Sequence, residues 1–480
     1  MKVEAGNSET HLERRSIDVT HIVFFVVAAA APLTAVVGAT PPAFALGNGA
    51  GVAGAFLLAG SLYLLFSAGF TAMSHHVGSA GGFYSYLAQG LSRPIGLGGA
   101  TVMLLTYSAI QIGIYSLFGV FLSDALAGWG VNLPWWAGSL GAIITVLICG
   151  RRSIAFSGNL LGLCMIGEIL ILLLLDIAIL VNGGGPQGLS LFPTLSPATI
   201  FSPGLGVALV FVIGSYVGFE ATAIFAEEAR NPHRTIPRAT YIAVLLITGF
   251  YAFSTWTITQ YYGPSAVSAA AAADLENFYF VPTRLLLGNW AVGVMQTLLI
   301  ISLFACVLSL HNAINRYLFA LGRDGVLPSS LSSLHPRHHS PATAGLVQTL
   351  SALAILAAFI LSGASPYQVI FPWMSALGVC GVLFVQTVTC LAVIFFFRAD
   401  HHGYGVFRRL IAPALSAIGL AMMIALVIKN IHLLTGAQNS FVLALPWLIT
   451  LIAGIGGTLY ALWLSARRPE IYTRLGRSFE

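Results

Sequence analysis

Apolar residues along this chain come in runs of 20 or more, long enough to cross a hydrocarbon core of about 30 Å as helix. The runs fall near residues 21 to 46, 52 to 73, 97 to 125, 134 to 150, 158 to 182 and 203 to 226. A second set lies near 239 to 262, 289 to 318, 343 to 363, 368 to 397, 410 to 429 and 441 to 465. The pattern predicts an all-α integral membrane protein of about twelve transmembrane helices. Both termini then lie on one side of the membrane, as tails at 1–20 and 466–480.

Two segments are interrupted. The first contains Pro32, which removes a backbone donor and crowds the preceding turn, with Gly38 soon after, so a break is expected near 31 to 34. In the sixth, Gly214 and Gly218 bracket Ser215, Tyr216 and Val217, giving the permissive backbone an unwound stretch requires. The breaks are five spans apart. Interrupted helices at corresponding positions of two halves point to a transporter with inverted repeats and a midplane site. The expected organisation is a first repeat at 21–182, a second at 203–397, and two further helices at 410–465. Kinks made only for packing are the competing reading.

Composition removes soluble classes. Charged residues are 8% and hydrophobic residues 57% of the chain, against about 25% charged in ordinary globular proteins. If the N-terminus is cytoplasmic, all but Arg284 and Lys429 of the 21 Lys and Arg residues fall on the inner side, as the positive-inside rule asks. The net charge of +5 is then accounted for by topology, and no nucleic-acid partner is invoked. The N-terminal stretch lacks the short apolar core and small-residue cleavage site of a secretory signal. Cys149, Cys164, Cys306, Cys380 and Cys390 lie inside apolar runs without paired spacing, and are expected to be small packing residues.

Three motifs carry a family resemblance. HHVGSAGGFYSYLAQGLSRPIG follows segment 2, GFEATAIFAEEARNPHRTIPRA continues segment 6, and HNAINRYLFALGRDGVLP ends segment 8. With them the chain resembles the amino acid-polyamine-organocation permeases, bacterial amino acid permease type, from segment 1 to segment 10. The resemblance implies a LeuT-type fold of five plus five inverted helices with helices 1 and 6 broken. It also implies movement of amino acids or amines by alternating access, commonly coupled to protons or in exchange. The chain departs from the family where Gly214 replaces an aromatic gate and where Ala-Pro-Leu-Thr stands for the glycine-rich break of segment 1.

A free amino acid brings a carboxylate and an ammonium, and a broken helix offers freed N–H groups and freed carbonyls to match. The expected donors are Leu33 and Thr34, and the expected acceptors Ala30 and Ala31, with Gly214, Ser215, Tyr216 and Val217 completing the pocket. Segment 3 presents a polar stripe of Tyr107, Gln111 and Tyr115 at helical spacing. Tyr107 and Gln111 are candidate substrate contacts, and interhelical hydrogen bonding is the plainer reading.

Glu168 lies about eleven residues into segment 5, about 16 Å deep at roughly 1.5 Å per residue. A charge there costs at least about 2.5 to 3.5 kcal/mol, so an acid persists only if neutral, paired or facing a wet cavity. By the resemblance it falls where some bacterial relatives carry a lysine thought to replace a sodium ion. Glu168 is the candidate proton-coupling residue, the proton being the expected coupling ion and no other cofactor expected. Asp176, two turns further on, is expected at the headgroup level and solvated. Glu220 is a candidate inner-gate residue, with Glu227, Glu228 and Arg230 read as a solvated loop. Ser302 and Ser309 in segment 8 are the type of hydroxyl pair that a sodium site uses, and His311 is read as structural. His335, His338 and His339 read as loop histidines.

Neither HExxH nor GxSxG occurs, which removes the common embedded hydrolases, and no pore-lining repeat suggests a channel. The expected function is proton-coupled import of an amino acid across the cytoplasmic membrane, a zwitterion being the solute that a backbone site alone can recognise. A diamine importer, an exchanger and a non-transporting sensor stand as alternatives. The expected partners are that solute and the lipid bilayer, with no nucleic acid and an oligomeric state left open.

Overall fold

In a hydrocarbon layer every backbone N–H and C=O has to be satisfied within the chain, which leaves helix as the economical solution for runs of Leu, Val, Ala and Phe. The computed structural model describes residues 18–74, 76–77, 82–152, 158–220, 222, 231–338, 340–436 and 439–476. Among these residues there is helix and connecting turn, and no strand.

The first segment is α1 (Val19–Ala29), a break, a wider-wound turn at Thr34–Gly38, and α2 (Thr40–Leu46). Then come α3 (Val52–Met73), α4 (Phe83–Gly90), α5 (Arg93–Ala127), α6 (Trp135–Arg151) and α7 (Gly158–Val181). After the short turns α8 (Phe192–Leu195) and α9 (Pro197–Ile200), the sixth segment begins with α10 (Leu205–Gly214). The rest comprises α11 (Pro232–Tyr262), α12 (Val267–Ala273), α13 (Phe280–Leu287), α14 (Asn289–Arg323), α15 (Ala342–Leu361), α16 (Phe371–Ala399), α17 (Ala412–Thr435) and α18 (Ser440–Arg467). Among the described residues nine helices are long and apolar enough to cross a membrane. The broken first segment, α6 and α10 account for the other three apolar runs of the sequence. The protein is an all-α, multi-pass membrane protein.

Both expected breaks are present. Ala31 adopts a left-handed backbone at φ 47, so the chain leaves α1 before Pro32 resumes a helical path. α10 stops at Gly214, residues 215 to 218 turn, and Gly218 sits at φ 111, a conformation that only glycine adopts freely. Most of the sixth segment beyond this point lies outside the described residues, as do Glu227, Glu228, Arg230, His339 and part of the loop motif after segment 2.

Packing sets the second break against α3. Tyr63 stacks on Tyr216 with ring centroids 4.8 Å apart, and Phe219 meets Tyr63 and Phe66. α3 and α11 approach so closely at Gly60 that a Cβ there would stand 2.1 Å from Thr248 Oγ1. α12 and α13, between α11 and α14, are too short to span and have no counterpart among the expected segments. α12 packs on α2, and Tyr279, just before α13, shares a hydrogen bond of 2.9 Å with Thr40.

Candidate transport site at two helix breaks

The first break carries one connected network. The Leu33 N–H, in the first turn of the helix that resumes after the break at Ala31, donates to Glu168 Oε2 at 3.1 Å. The Ser302 hydroxyl on α14 donates to the same oxygen at 2.9 Å, and Thr34 Oγ1 donates to Ser302 Oγ at 3.0 Å. On the other side of the break, Tyr251 Oη on α11 donates to the Ala30 carbonyl at 3.1 Å. The Ala31 carbonyl is taken up inside the resumed helix by Ala35 N–H. Glu168 is buried, and both of its partners are neutral donors. A carboxylate at a helix start is electrostatically favoured, since freed N–H groups converge there. In this structure α7 therefore supplies, from Glu168, the kind of group that the break is suited to bind.

A second carboxylate closes the second break. Glu220 Oε2 accepts from Gly218 N–H at 2.9 Å, and Glu220 Oε1 accepts from Tyr107 Oη at 3.0 Å. Glu220 is buried, and Tyr317 on α14 packs edge-on against Tyr107. The pair joins the broken sixth segment to α5.

The remaining sequence candidates divide. Gly214 and Val217 are half-buried, and a Cβ on Gly214 would meet only Val379 Cγ2, at 3.9 Å, so there is room beside Gly214. Ser215 turns its hydroxyl back onto the Phe211 carbonyl at 2.9 Å. Tyr216 points into the α3–α11 contact, where its hydroxyl meets Thr248 Oγ1 at 2.8 Å and the Phe56 carbonyl at 3.2 Å. Gln111 is fully buried; its Nε2 donates to the Val307 carbonyl at 3.1 Å, and Gln348 Nε2 donates to its Oε1. It therefore ties α5 to α14 and α15, apart from Tyr107. His311 is buried where Gly150 and Gly345 leave room for its ring.

One expectation is corrected. Asp176 is not solvated: it is 2% exposed, accepts from Ser254 Oγ at 2.7 Å, and also accepts from Thr257 Oγ1. The chain after α7 folds back over the helix end, with Gly185 N–H on the Gln260 carbonyl and Ser190 N–H on Gln260 Oε1. Depth counted along one helix takes no account of this cover. Tyr251 and Tyr279 gave no signal in the sequence, because each acts from a helix or loop distant in the chain. Ser302 carried a hydroxyl signal but no placement.

Outside the membrane-spanning segments, Glu276 precedes α13 and shares a hydrogen bond with Asp124; burial, then the Asp124 charge, push its carboxyl up to about 7. The Asp400 carboxyl is held below its usual range, chiefly by the His402 N–H at 3.0 Å.

The sequence profile of the family described as amino acid permease matches residues 20–456. The chain is similar to the branched-chain amino acid permease BcaP of Bacillus subtilis, 26% identical over 291 residues, 56% of this chain and 58% of that one. It is also similar to the serine/threonine exchanger SteT of the same organism, 24% identical over 306 residues, 63% and 67% of the two chains. The vacuolar cationic amino acid transporter 2 of Arabidopsis thaliana is 26% identical over 380 residues, 74% and 57%. The match to BcaP thus spans less than two thirds of that permease.

Proposed function

The chain belongs to the amino acid permease family of the amino acid-polyamine-organocation superfamily, and from that premise we propose that it imports a free amino acid across the cytoplasmic membrane by proton-coupled alternating access, with Glu168 as the coupling group. The observation that carries this reading is the hydrogen bond from Leu33 N–H to Glu168. A substrate carboxylate is suited to the same N–H, so the two anions compete for one place.

The competition supplies the coupling. Two carboxylates about 4 Å apart repel by about 4 kcal/mol at an effective dielectric constant of about 20, a penalty of about a thousandfold in occupancy. Once a proton neutralises Glu168, that repulsion vanishes and its hold on Leu33 weakens. The substrate carboxylate then takes Leu33 N–H, with Thr34 beside it. The ammonium meets the Ala30 carbonyl as Tyr251 withdraws, and the room beside Gly214 takes the side chain. The protonated Glu168 and the zwitterionic substrate then sit at the break as two neutral groups, and each cycle carries one positive charge inward. Glu220, Gly218 and Tyr107 act as the inner gate, holding the sixth segment to α5 until the helices part. The arrangement fits a five-plus-five inverted repeat with both termini cytoplasmic, as the arginine distribution asks.

The names of the relatives favour amino acids over diamines, and so does the site: a diamine has no carboxylate with which to displace Glu168. Exchange stands as the second reading, because SteT is named an exchanger. The test is uptake into liposomes of an amino acid and diamine panel, with and without an inward proton gradient, for wild type and Glu168→Gln. Gradient-driven accumulation of an amino acid, lost in the variant while counterflow persists, is expected. Counterflow alone in wild type, whatever the gradient, would make the protein an exchanger.

A further inference from the structure

Asp176 is a second buried carboxylate that the mechanism above leaves unused. It lies eight residues beyond Glu168 on α7, about 12 Å at 1.5 Å per residue and within about 80° of the same helix face. Its two hydroxyl partners, Ser254 and Thr257, come from α11, the helix whose Tyr251 covers the Ala30 carbonyl next to Glu168. No Lys, Arg or His among the described residues forms an ion pair with it. The helix dipole does not offset its charge either, because Asp176 sits toward the C-terminal end of α7, where the free carbonyls disfavour an anion. A carboxylate so placed is expensive to keep charged and is kept in membranes mainly where protons or ions pass.

The surroundings point toward the face of the protein bearing α12 and α13. Tyr279, hydrogen-bonded to Thr40 of α2, stands within electrostatic reach of Asp176. The titratable side chains within electrostatic reach of Glu168 are Tyr251 on α11, Cys306 on α14 and Cys164 on α7 itself, and Tyr279 before α13 stands within reach of Asp176. Arg284 on α13 is exposed, and α1 presents no described titratable side chain. The Ser254 and Tyr251 hydroxyls lie one turn apart on α11, the first on Asp176 and the second on the Ala30 carbonyl.

We propose that Asp176 is a proton-relay site that loads Glu168 from the face of the protein bearing α12 and α13, along the α7–α11 seam. A proton from bulk water forms an O–H bond on an Asp176 carboxyl oxygen when that face opens. That bond then breaks as the proton moves to the seam hydroxyls, each breaking one O–H bond as it forms another, and the last bond forms on Glu168. Asp176 returns to its charged form, and one positive charge has moved inward. The proposal rests on Glu168 being the coupling group, and it makes Asp176 a kinetic conduit that leaves the coupling ratio alone.

The experiment uses the full chain in liposomes and compares wild type, Asp176→Asn, Asp176→Glu, Thr257→Val and Glu168→Gln. Three quantities are read: initial rate of gradient-driven uptake, final accumulation ratio, and counterflow rate. A positioned proton-transfer group contributes about a hundredfold or more, so Asp176→Asn is expected to slow driven uptake at least about tenfold while counterflow and final accumulation stay near wild type. Asp176→Glu is expected to restore the driven rate, and Thr257→Val to slow driven uptake selectively. Equal slowing of driven uptake and counterflow in Asp176→Asn, without rescue by Asp176→Glu, would overturn the relay in favour of a structural role. If Asp176→Asn does not fold, the decision falls to the other two seam variants: a driven rate near wild type in Asp176→Glu with selective slowing in Thr257→Val supports the relay, and any other pattern overturns it. Retained accumulation in Glu168→Gln would instead overturn the coupling assignment itself, a result separable from the first because it appears in a different variant.

Discussion

Replacing Ser302 with alanine isolates one of the two hydrogen bonds to Glu168 on which the proposed coupling rests. The Ser302 hydroxyl donates to Glu168 Oε2 at 2.9 Å and accepts from Thr34 at 3.0 Å. A hydrogen bond to a charged group is worth about 1.5 to 3 kcal/mol, and one pH unit corresponds to about 1.36 kcal/mol. The bond stabilises the ionised carboxyl, so its loss makes Glu168 hold its proton to higher pH. The pH of half-maximal gradient-driven uptake in Ser302→Ala should therefore move upward by about 1 to 2 units. Apparent affinity for the amino acid at alkaline pH should rise in step, because the internal competitor is weaker. Ser302→Thr, which keeps the hydroxyl, should stay near wild type. Initial uptake rates in liposomes across a pH series provide the assay. An unchanged midpoint or a downward shift in Ser302→Ala would refute the idea that Ser302 supports an ionised Glu168.

Three further outcomes follow from the same geometry. Ala31→Gly removes a left-handed strain of about 1 to 2 kcal/mol at φ 47, less about 0.4 to 1 kcal/mol of added unfolded-chain freedom; a modest rise in the melting midpoint in detergent is expected, and a fall would contradict it. Gly60→Ala brings a Cβ to 2.1 Å from Thr248 Oγ1, which is already committed to Tyr216 and the Val244 carbonyl; a loss of about 1 to 3 kcal/mol is expected from the overpacking, read as a lowered midpoint. Glu276, raised from 4.5 to about 7, holds a proton in the folded protein that the unfolded chain releases, so its contribution to stability is full below about pH 4.5 and lost as pH rises through about 7. Glu276→Gln should flatten thermal stability across that window, and an unchanged slope would contradict the raised Glu276 carboxyl.

Much of the fold was legible because membrane helices must satisfy their own backbones over a fixed thickness. Segment 3 was expected at 97 to 125 and appears as Arg93–Ala127; segment 12 was expected at 441 to 465 and appears as Ser440–Arg467. The breaks were legible too, since Pro32 and the Gly214 and Gly218 pair act on the backbone locally. Side-chain direction inside a non-helical stretch has no period to read, and so Tyr216 was grouped with the pocket although it turns into the α3–α11 contact. Gln111 and Tyr107 share a stripe on α5, yet different helices meet them, and a stripe does not say which neighbour each will find. The internal use of Leu33, Thr34 and Ala30 was hidden for the same reason: their partners lie 135, 268 and 221 residues away in the chain.

The central claim, that the substrate carboxylate and the Glu168 carboxylate compete for one helix start, makes binding itself a proton-consuming event. Purified protein in weakly buffered detergent, titrated with the transported amino acid while a pH-sensitive dye reports free protons, measures this directly. Over some interval between about pH 5 and 9, the account predicts uptake of about one proton per amino acid bound in wild type and none in Glu168→Gln. Saturable binding with no proton uptake anywhere in that range, or the same uptake in Glu168→Gln, would contradict it.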